Sequence, residues 1–328
     1  MTNLITAIGR RYGLQLGILI LLIIVLAFIA PTFGGESAIY AVLERLVLLG
    51  IITAGLAVTM IARELDLSVA GMAVLSGVIA VQLGDLGLFP SIAIATLIGT
   101  LVGLLQGWLI AKLGINSLVF TVGMLTVLQG AAWIAAGGGP VMLEDYLATD
   151  PLLERYWVFS PMSLTAIGAM VLIGVFLTWT RWGRQIYAIG GARHEAVAAG
   201  VSVKKSMTLA FGFSGFASAL AGALSAMKGG SVTPESFASV MLTCVAAALI
   251  GGVSLYGGRG NAANIALGVL IIAVLSAGLS SAGVRAFVTE LLTGALLLLV
   301  IVVEFVGNRI AERTKLSKLR QLHTVSAS

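Results

Sequence analysis

Apolar positions in this chain come in long runs of about twenty, separated by short polar punctuation. A membrane-spanning helix needs about 20 such residues in succession. The pattern predicts ten spans, at 14–31, 40–62, 67–83, 88–112, 115–136, 160–180, 206–227, 236–253, 262–281 and 286–307. The expected fold is an all-α membrane protein. The third run is short, which leaves open a tilted or re-entrant passage and a count of eight or nine full spans.

Two polar segments are longer than a turn requires. The first, about 137–159, opens on Gly137-Gly138-Gly139-Pro140 and contains Tyr146, Tyr156 and Trp157. The second, about 181–205, is basic and punctuated by glycine. It is read as a loop holding one short Ala-rich helix, Arg193 to Ala199, with Gly200 as a C-terminal cap. Before the first span stand Arg10 and Arg11. The apolar run Leu14 to Ala30 imitates a signal peptide, but Pro31-Thr32-Phe33 follows where small cleavage-site residues belong. A retained signal anchor is expected. The chain divides into a terminus (1–13), a membrane domain (14–307) and a basic tail (308–328).

Composition agrees with lipid as the solvent. Hydrophobic residues make up 59% and charged residues 10%, against about 25% charged in soluble domains. The 41 glycines allow close helix contact where lipid gives helices no hydrophobic reason to associate. Charge placement sets the orientation. With the N-terminus in the cytoplasm and ten spans, the C-terminus is cytoplasmic too. All but four of the 19 basic residues (Arg45, Arg155, Lys228 and Arg285) then lie inside. The acidic stretch with Glu144, Asp145, Asp150 and Glu154 lies outside. The basic balance is thus a topology signal, and nucleic-acid binding is the poorer reading.

Several chemistries are missing. There is no phosphate-binding G-x-x-x-x-G-K-[ST] loop. Cys244 is the single cysteine, and His194 and His323 are far apart, so no metal or cofactor site is expected. The centres of the spans hold almost no ionisable group, which argues against proton coupling. No nucleophile–base pair suggests an enzyme. What remains is a neutral-lined channel or carrier driven from elsewhere.

Four motifs carry information. In Glu64-Leu65-Asp66-Leu67-Ser68, Asp66 and Ser68 can cap the third span, or mark a gate at a helix break. Gly99, Gly103 and Gly107 form a ridge for packing, within the chain or between two copies. The segment Gly183 to Lys205 can present its short helix, Arg193-His194-Glu195-Ala196-Val197-Ala198-Ala199-Gly200, to a groove of a partner, or be an ordinary basic loop. The glycines of Gly251 to Gly260 allow close backbone approach. In addition, Gln106, Asn116, Ser117, Thr121, Thr126 and Gln129 put neutral hydrogen-bonding groups in or beside the fourth and fifth spans. These suit an uncharged polyhydroxy solute, or bond helix to helix. Asp66, Ser68, Gln106, Asn116, Thr121 and Gln129 are the candidate pathway or gate residues. A short match between Gly107–Val119 and Gly278–Val288 suggests an inverted repeat of spans two to five in spans seven to ten, a transporter architecture.

Together these segments resemble the ribose-type permease family of ABC importers. The G-I-D-L-S-V-G motif of that family is matched by Leu65 to Gly71, L-D-L-S-V-A-G. Its N-G-x-L-V-x-x-L-G-I segment is matched by Gln106 to Ile115, G-R-x-I-Y-A-I-G-G-N by Gly183 to Ala192, and L-D-A-I-A-A-V-V-L-G-G-T-S-L-x-G-G-R-G in part by Leu242 to Gly260. Departures are Thr243 for the family's Asp, Gln106 for Asn, Ala192 for Asn, and Glu64. The resemblance implies a coupling helix at about Ala192 to Val201 that docks on a separate cytoplasmic ATP-binding subunit. It further implies a second permease chain, a periplasmic solute-binding protein, and the bacterial inner membrane. The expected solute is a pentose, deoxyhexose, hexose or polyol. An amino-acid or nucleoside permease, or a stand-alone secondary carrier, are the alternatives; a non-transport membrane scaffold is a more distant one.

Overall fold

A computed structural model describes residues 2–299, except 238 and 286, together with residue 302. The expected basic tail 308–328 and most of 300–307 lie outside the described residues, as do the side chains of Arg10 and Arg11. Seven helices among the described residues are long and apolar enough to cross a membrane. They are the stretch Tyr12–Ile29 of α1 (Thr2–Ile29), the continuous stretch Glu36–Ile61, α5 (Leu88–Leu113), α6 (Ser117–Ala135), α8 (Pro161–Trp179), α11 (Val203–Gly229) and α13 (Ala262–Ser281). Three shorter apolar helices complete the expected set: α4 (Val69–Gln82), α12 (Val240–Gly251) and α14 (Phe287–Leu299). The protein is a multi-pass, all-helical membrane protein.

The third run is short, as expected, the eighth is shorter than expected, and the segment 181–205 holds one more helix than expected. The third run is a helix of 14 residues, about 21 Å long at 1.5 Å per residue. The eighth, expected to span like its neighbours, has only 12 residues, about 18 Å. Each helix is shorter than a hydrocarbon core of about 30 Å. Both stand at the same place in their halves of the chain, each after a helix of 26 or 27 residues and before α5 or α13. The segment 181–205 is no loop around one short helix. It holds α9 (Arg181–Gly191) and then α10 (Arg193–Ala198). Gly190 and Gly191 end α9. Gly183, Ile186, Ile189 and Gly190 form the buried face of α9.

The stretch Glu36–Ile61 is also interrupted. It runs as α2 (Glu36–Arg45), one π-helical turn over Leu46–Gly50, and α3 (Ile51–Ile61). Such wide turns shift the register of the side chains that follow and recur at functional sites.

At the centre stands α11, crossed by α3, α4 and α5. Its small residues let the backbones touch. A Cβ at Gly103 would lie 2.4 Å from the Phe211 carbonyl oxygen, and one at Gly107 2.6 Å from that of Met207. The glycine ridge of α5 is therefore internal packing against α11, not an interface between copies. Lipid offers no hydrophobic drive for this contact, so van der Waals fit at close range holds the crossing. By contrast, α1 is little covered by the rest of the chain: only 6% of its spanning stretch is buried.

The two ends of the bundle differ. At one, β1 (Val141–Met142) pairs antiparallel with β2 (Ser231–Val232), tying the segment 137–159 to the turn between α11 and α12. At the other, α9 and α10 pack beside the glycine loop 251–260. Gly190 has no room for a Cβ beside the Ile61 carbonyl, which also accepts a hydrogen bond of 2.8 Å from Gly258 N. Tyr187 Oη donates to the Gly260 carbonyl at 2.7 Å.

Candidate functional site

The helix α10 is built to protrude. Of its six residues only Ala196, 5% exposed, is buried. Arg193, His194, Glu195, Val197, Ala198, Ala199 and Gly200 are exposed. Gly200, at φ +82°, takes the left-handed conformation that closes the helix. Its N–H donates to the Val197 carbonyl, and Val201 N–H to that of Ala196, each at 2.9 Å. Arg193 anchors the first turn. Nη1 pairs with Glu64 Oε1 at 3.1 Å, and Nη2 lies 3.0 Å from Met207 Sδ on α11.

Glu64 begins the break between α3 and α4, where most of the gate candidates meet. Asp66, 2% exposed, accepts at Oδ1 from the N–H (3.0 Å) and the hydroxyl (2.6 Å) of Ser68. Its Oδ2 accepts from Ser214 Oγ of α11 at 2.7 Å. Ser68 Oγ also lies 3.1 Å from Gln106 Oε1 of α5. A hydroxyl has one proton, and the two ends of an amide are told apart only by their partners. Turning the Gln106 amide lets it donate to Ser68 while Ser68 donates to Asp66. As placed, Gln106 Nε2 has no hydrogen-bond partner among the described residues. The capping expectation is half met: Ser68 takes the N-cap position of α4 without a capping bond, and Asp66 holds the turn.

Thr121 belongs to the same junction. Its hydroxyl donates to the Leu65 carbonyl and accepts from Leu67 N–H, both at 3.1 Å. Ser117 Oγ accepts from Leu65 N–H at 3.4 Å. Irregular backbone at membrane depth has to be satisfied by protein groups, and these hydroxyls of α6 do that. Asn116 and Gln129 stand apart. Asn116 caps α6, accepting from Leu118 N–H at 2.9 Å. Gln129 lies half-buried further along α6.

A large cavity lies elsewhere, toward the ribbon end. It has a volume of about 910 Å³, lies among the π turn, α11, α12, α13 and α14, and is lined by none of the six gate candidates. Ser225, Ser239, Thr243, Ser276 and Thr293 give it hydroxyls. Thr243, the position where the resembled motif carries Asp, thus faces a cavity. At the edge, Glu44 accepts from Ser160 Oγ with one oxygen and pairs with Lys228 through the other, joining α2, α8 and α11. Arg45 and Glu290 leave the lining balanced in formal charge. Ligand pockets run to about 300–1,000 Å³, so a monosaccharide-sized solute fits. On the 137–159 segment, the Glu154 carboxylate accepts from Tyr156 Oη and holds that phenol above its ordinary range.

Residues 38–301 match the family described as the permease component of branched-chain amino acid transport systems. The chain is 30% identical over 299 residues to the ribose import permease protein of Bacillus subtilis (strain 168), covering 90% of this chain and 92% of that one. It is 29% identical to the fructose import permease protein of Rhizobium meliloti, over 87% of this chain and 84% of that one. The L-arabinose ABC transporter permease protein of Azospirillum brasilense is 30% identical, over 89% and 86%. None of the solved structures matches the chain.

Proposed function

This chain belongs to the family of permease components typified by branched-chain amino acid transport systems, and from that premise we propose that it carries a sugar or sugar-like solute inward as the permease subunit of an ATP-driven importer. Permeases of this family work with ATP-binding and solute-binding partners, and hydrolysis belongs to the separate ATP-binding subunit. The observation that carries the sugar reading is the similarity along nearly the whole chain to permeases named for ribose, fructose and L-arabinose.

The parts take these roles. The bundle lies in a bacterial inner membrane with both termini, 1–13 and 308–328, in the cytoplasm, and 14–307 is the permease domain. The exposed helix α10 docks in the ATP-binding subunit. The ribbon end faces the periplasm and receives the solute-binding protein. A second permease chain, identical or similar, completes the pore. The 910 Å³ cavity is the outward vestibule, where hydroxyls and paired charges offer hydrogen bonds to an uncharged polyol. The polar junction of Asp66, Ser68, Gln106 and Thr121 lies toward the cytoplasmic end and gates it.

Reconstitution tests this. Liposomes holding the chain with a partner ATPase and a solute-binding protein of a sugar importer take up labelled ribose, arabinose or fructose only with ATP inside the ATPase compartment. Uptake by the chain alone under a sodium or proton gradient would instead make it a secondary carrier. A binding protein that retains leucine or a nucleoside and ignores sugars would overturn the solute class, which the family's own description also brings into the comparison.

A further inference from the structure

The five residues between Glu64 and Ser68 reach four different helices in succession. Glu64 pairs with Arg193 of α10 at 3.1 Å. Leu65 bonds Ser117 and Thr121 of α6 through its N–H and carbonyl. Asp66 accepts from Ser214 of α11. Leu67 N–H returns to Thr121, and Ser68 meets Gln106 of α5. Glu64 N–H is itself tied back to Thr59 of α3 at 2.9 Å. No other short segment described above joins so many helices by polar contacts.

We propose that residues 64–68 are a transmission strap, and that the Glu64–Arg193 ion pair is where movement of α10 enters it. The proposal rests on the reading of α10 as the ATPase-docking helix. The strap leads from α10 to α5, α6 and α11 through hydrogen bonds, which are directional and break when their geometry is lost. The entry pair differs from the rest of the strap in one respect. Arg193 is 45% exposed and Glu64 10% exposed, and pairs with an exposed partner contribute little to folding, about 0–1 kcal/mol. An interaction so weak in folding terms can still carry coupling, because coupling depends on the difference between two states. Glu64 is thus a positioning residue: it acts through its contact with Arg193.

Two measurements on the full chain test this. The first needs no partner. In detergent-solubilised Glu64→Gln, amide hydrogen exchange across 64–68 is expected to rise about two- to fivefold, with exchange in α5 and α11 unchanged. Unchanged protection of the strap would overturn the proposal even if transport were never measured. The second uses the liposome system. Glu64→Gln and Glu64→Arg are expected to lower sugar uptake per ATP hydrolysed about tenfold, with basal ATP hydrolysis unchanged. The charge exchange Glu64→Arg with Arg193→Glu restores the ratio at least in part. A wild-type ratio in Glu64→Gln, or a double variant no better than Glu64→Arg alone, would overturn the strap. Failure of the wild-type chain to transport sugar with ATP is a different result, and overturns the functional reading on which α10 docking rests.

Discussion

Asp66 is a buried carboxyl group with no paired cation among the described residues, held by three donors from Ser68 and Ser214. Removing it strands those donors, and each buried donor left without a partner costs about 1–3 kcal/mol. Asp66→Ala is therefore expected to lower the apparent melting temperature of the detergent-solubilised protein, with Asp66→Asn, which keeps one acceptor oxygen, in between. Equal melting of all three proteins would refute the account of the junction. Thr243 poses the reverse case, a residue that the proposed function sets beside the solute. Its hydroxyl bonds the Ser239 carbonyl at 3.1 Å and lines the cavity. Thr243→Val keeps the shape and removes the hydrogen-bonding group. Half-saturation for uptake should rise about two- to tenfold, with maximal uptake retained. The motif containing Asp66 stands out in the sequence, whereas Ser214 does not: it is one of many small residues in α11, and only the helix crossing brings it to the carboxylate.

Helix α10 shows what an element's termination can control. Proline cannot adopt a φ of +82° and has no N–H to give the Val197 carbonyl. Gly200→Pro is expected to abolish uptake while the protein still inserts in the membrane at normal yield. Uptake within twofold of wild type, a bound set by ordinary scatter of surface changes, would remove α10 from the coupling role. The bounds of α10 were legible to within a residue, because alanines followed by glycine make a plain helix-and-cap signal. The helix α9 was not, since its buried face of Gly183, Ile186, Ile189 and Gly190 alternates with Arg and Gln and mimics a basic loop. The π turn at Leu46–Gly50 was equally hidden: one extra residue in a turn leaves no mark on an all-apolar run. The shortness of α12 escaped notice because Val240–Gly251 is continued by apolar and small residues that are not helical. The cavity drew on five separate elements, and its hydroxyls each resemble an ordinary interhelical bond.

At the scale of the whole molecule, the charge map and the two dissimilar ends give a testable orientation. Cys244 is the single cysteine and is buried, so the unmodified chain should resist a membrane-impermeant maleimide. Asp145→Cys, on the ribbon side, is expected to label in intact spheroplasts. Lys204→Cys, beside α10, should label only after the membrane is opened. The reverse pattern would invert the assignment of inside and outside.

The paired short helices α4 and α12 also bear on the electrical character of the route. On the proposed reading of the cavity as a vestibule, the depth that helices of about 18–21 Å leave in a core of about 30 Å belongs to polar junction or vestibule. The insulating septum is correspondingly thin, and the membrane voltage falls mainly across it. A charged solute crossing that septum would gain or lose about 2.3 kcal/mol per charge at 100 mV. An uncharged sugar gains nothing and loses nothing there, so its passage is indifferent to voltage and is set by the ATP-driven movement alone.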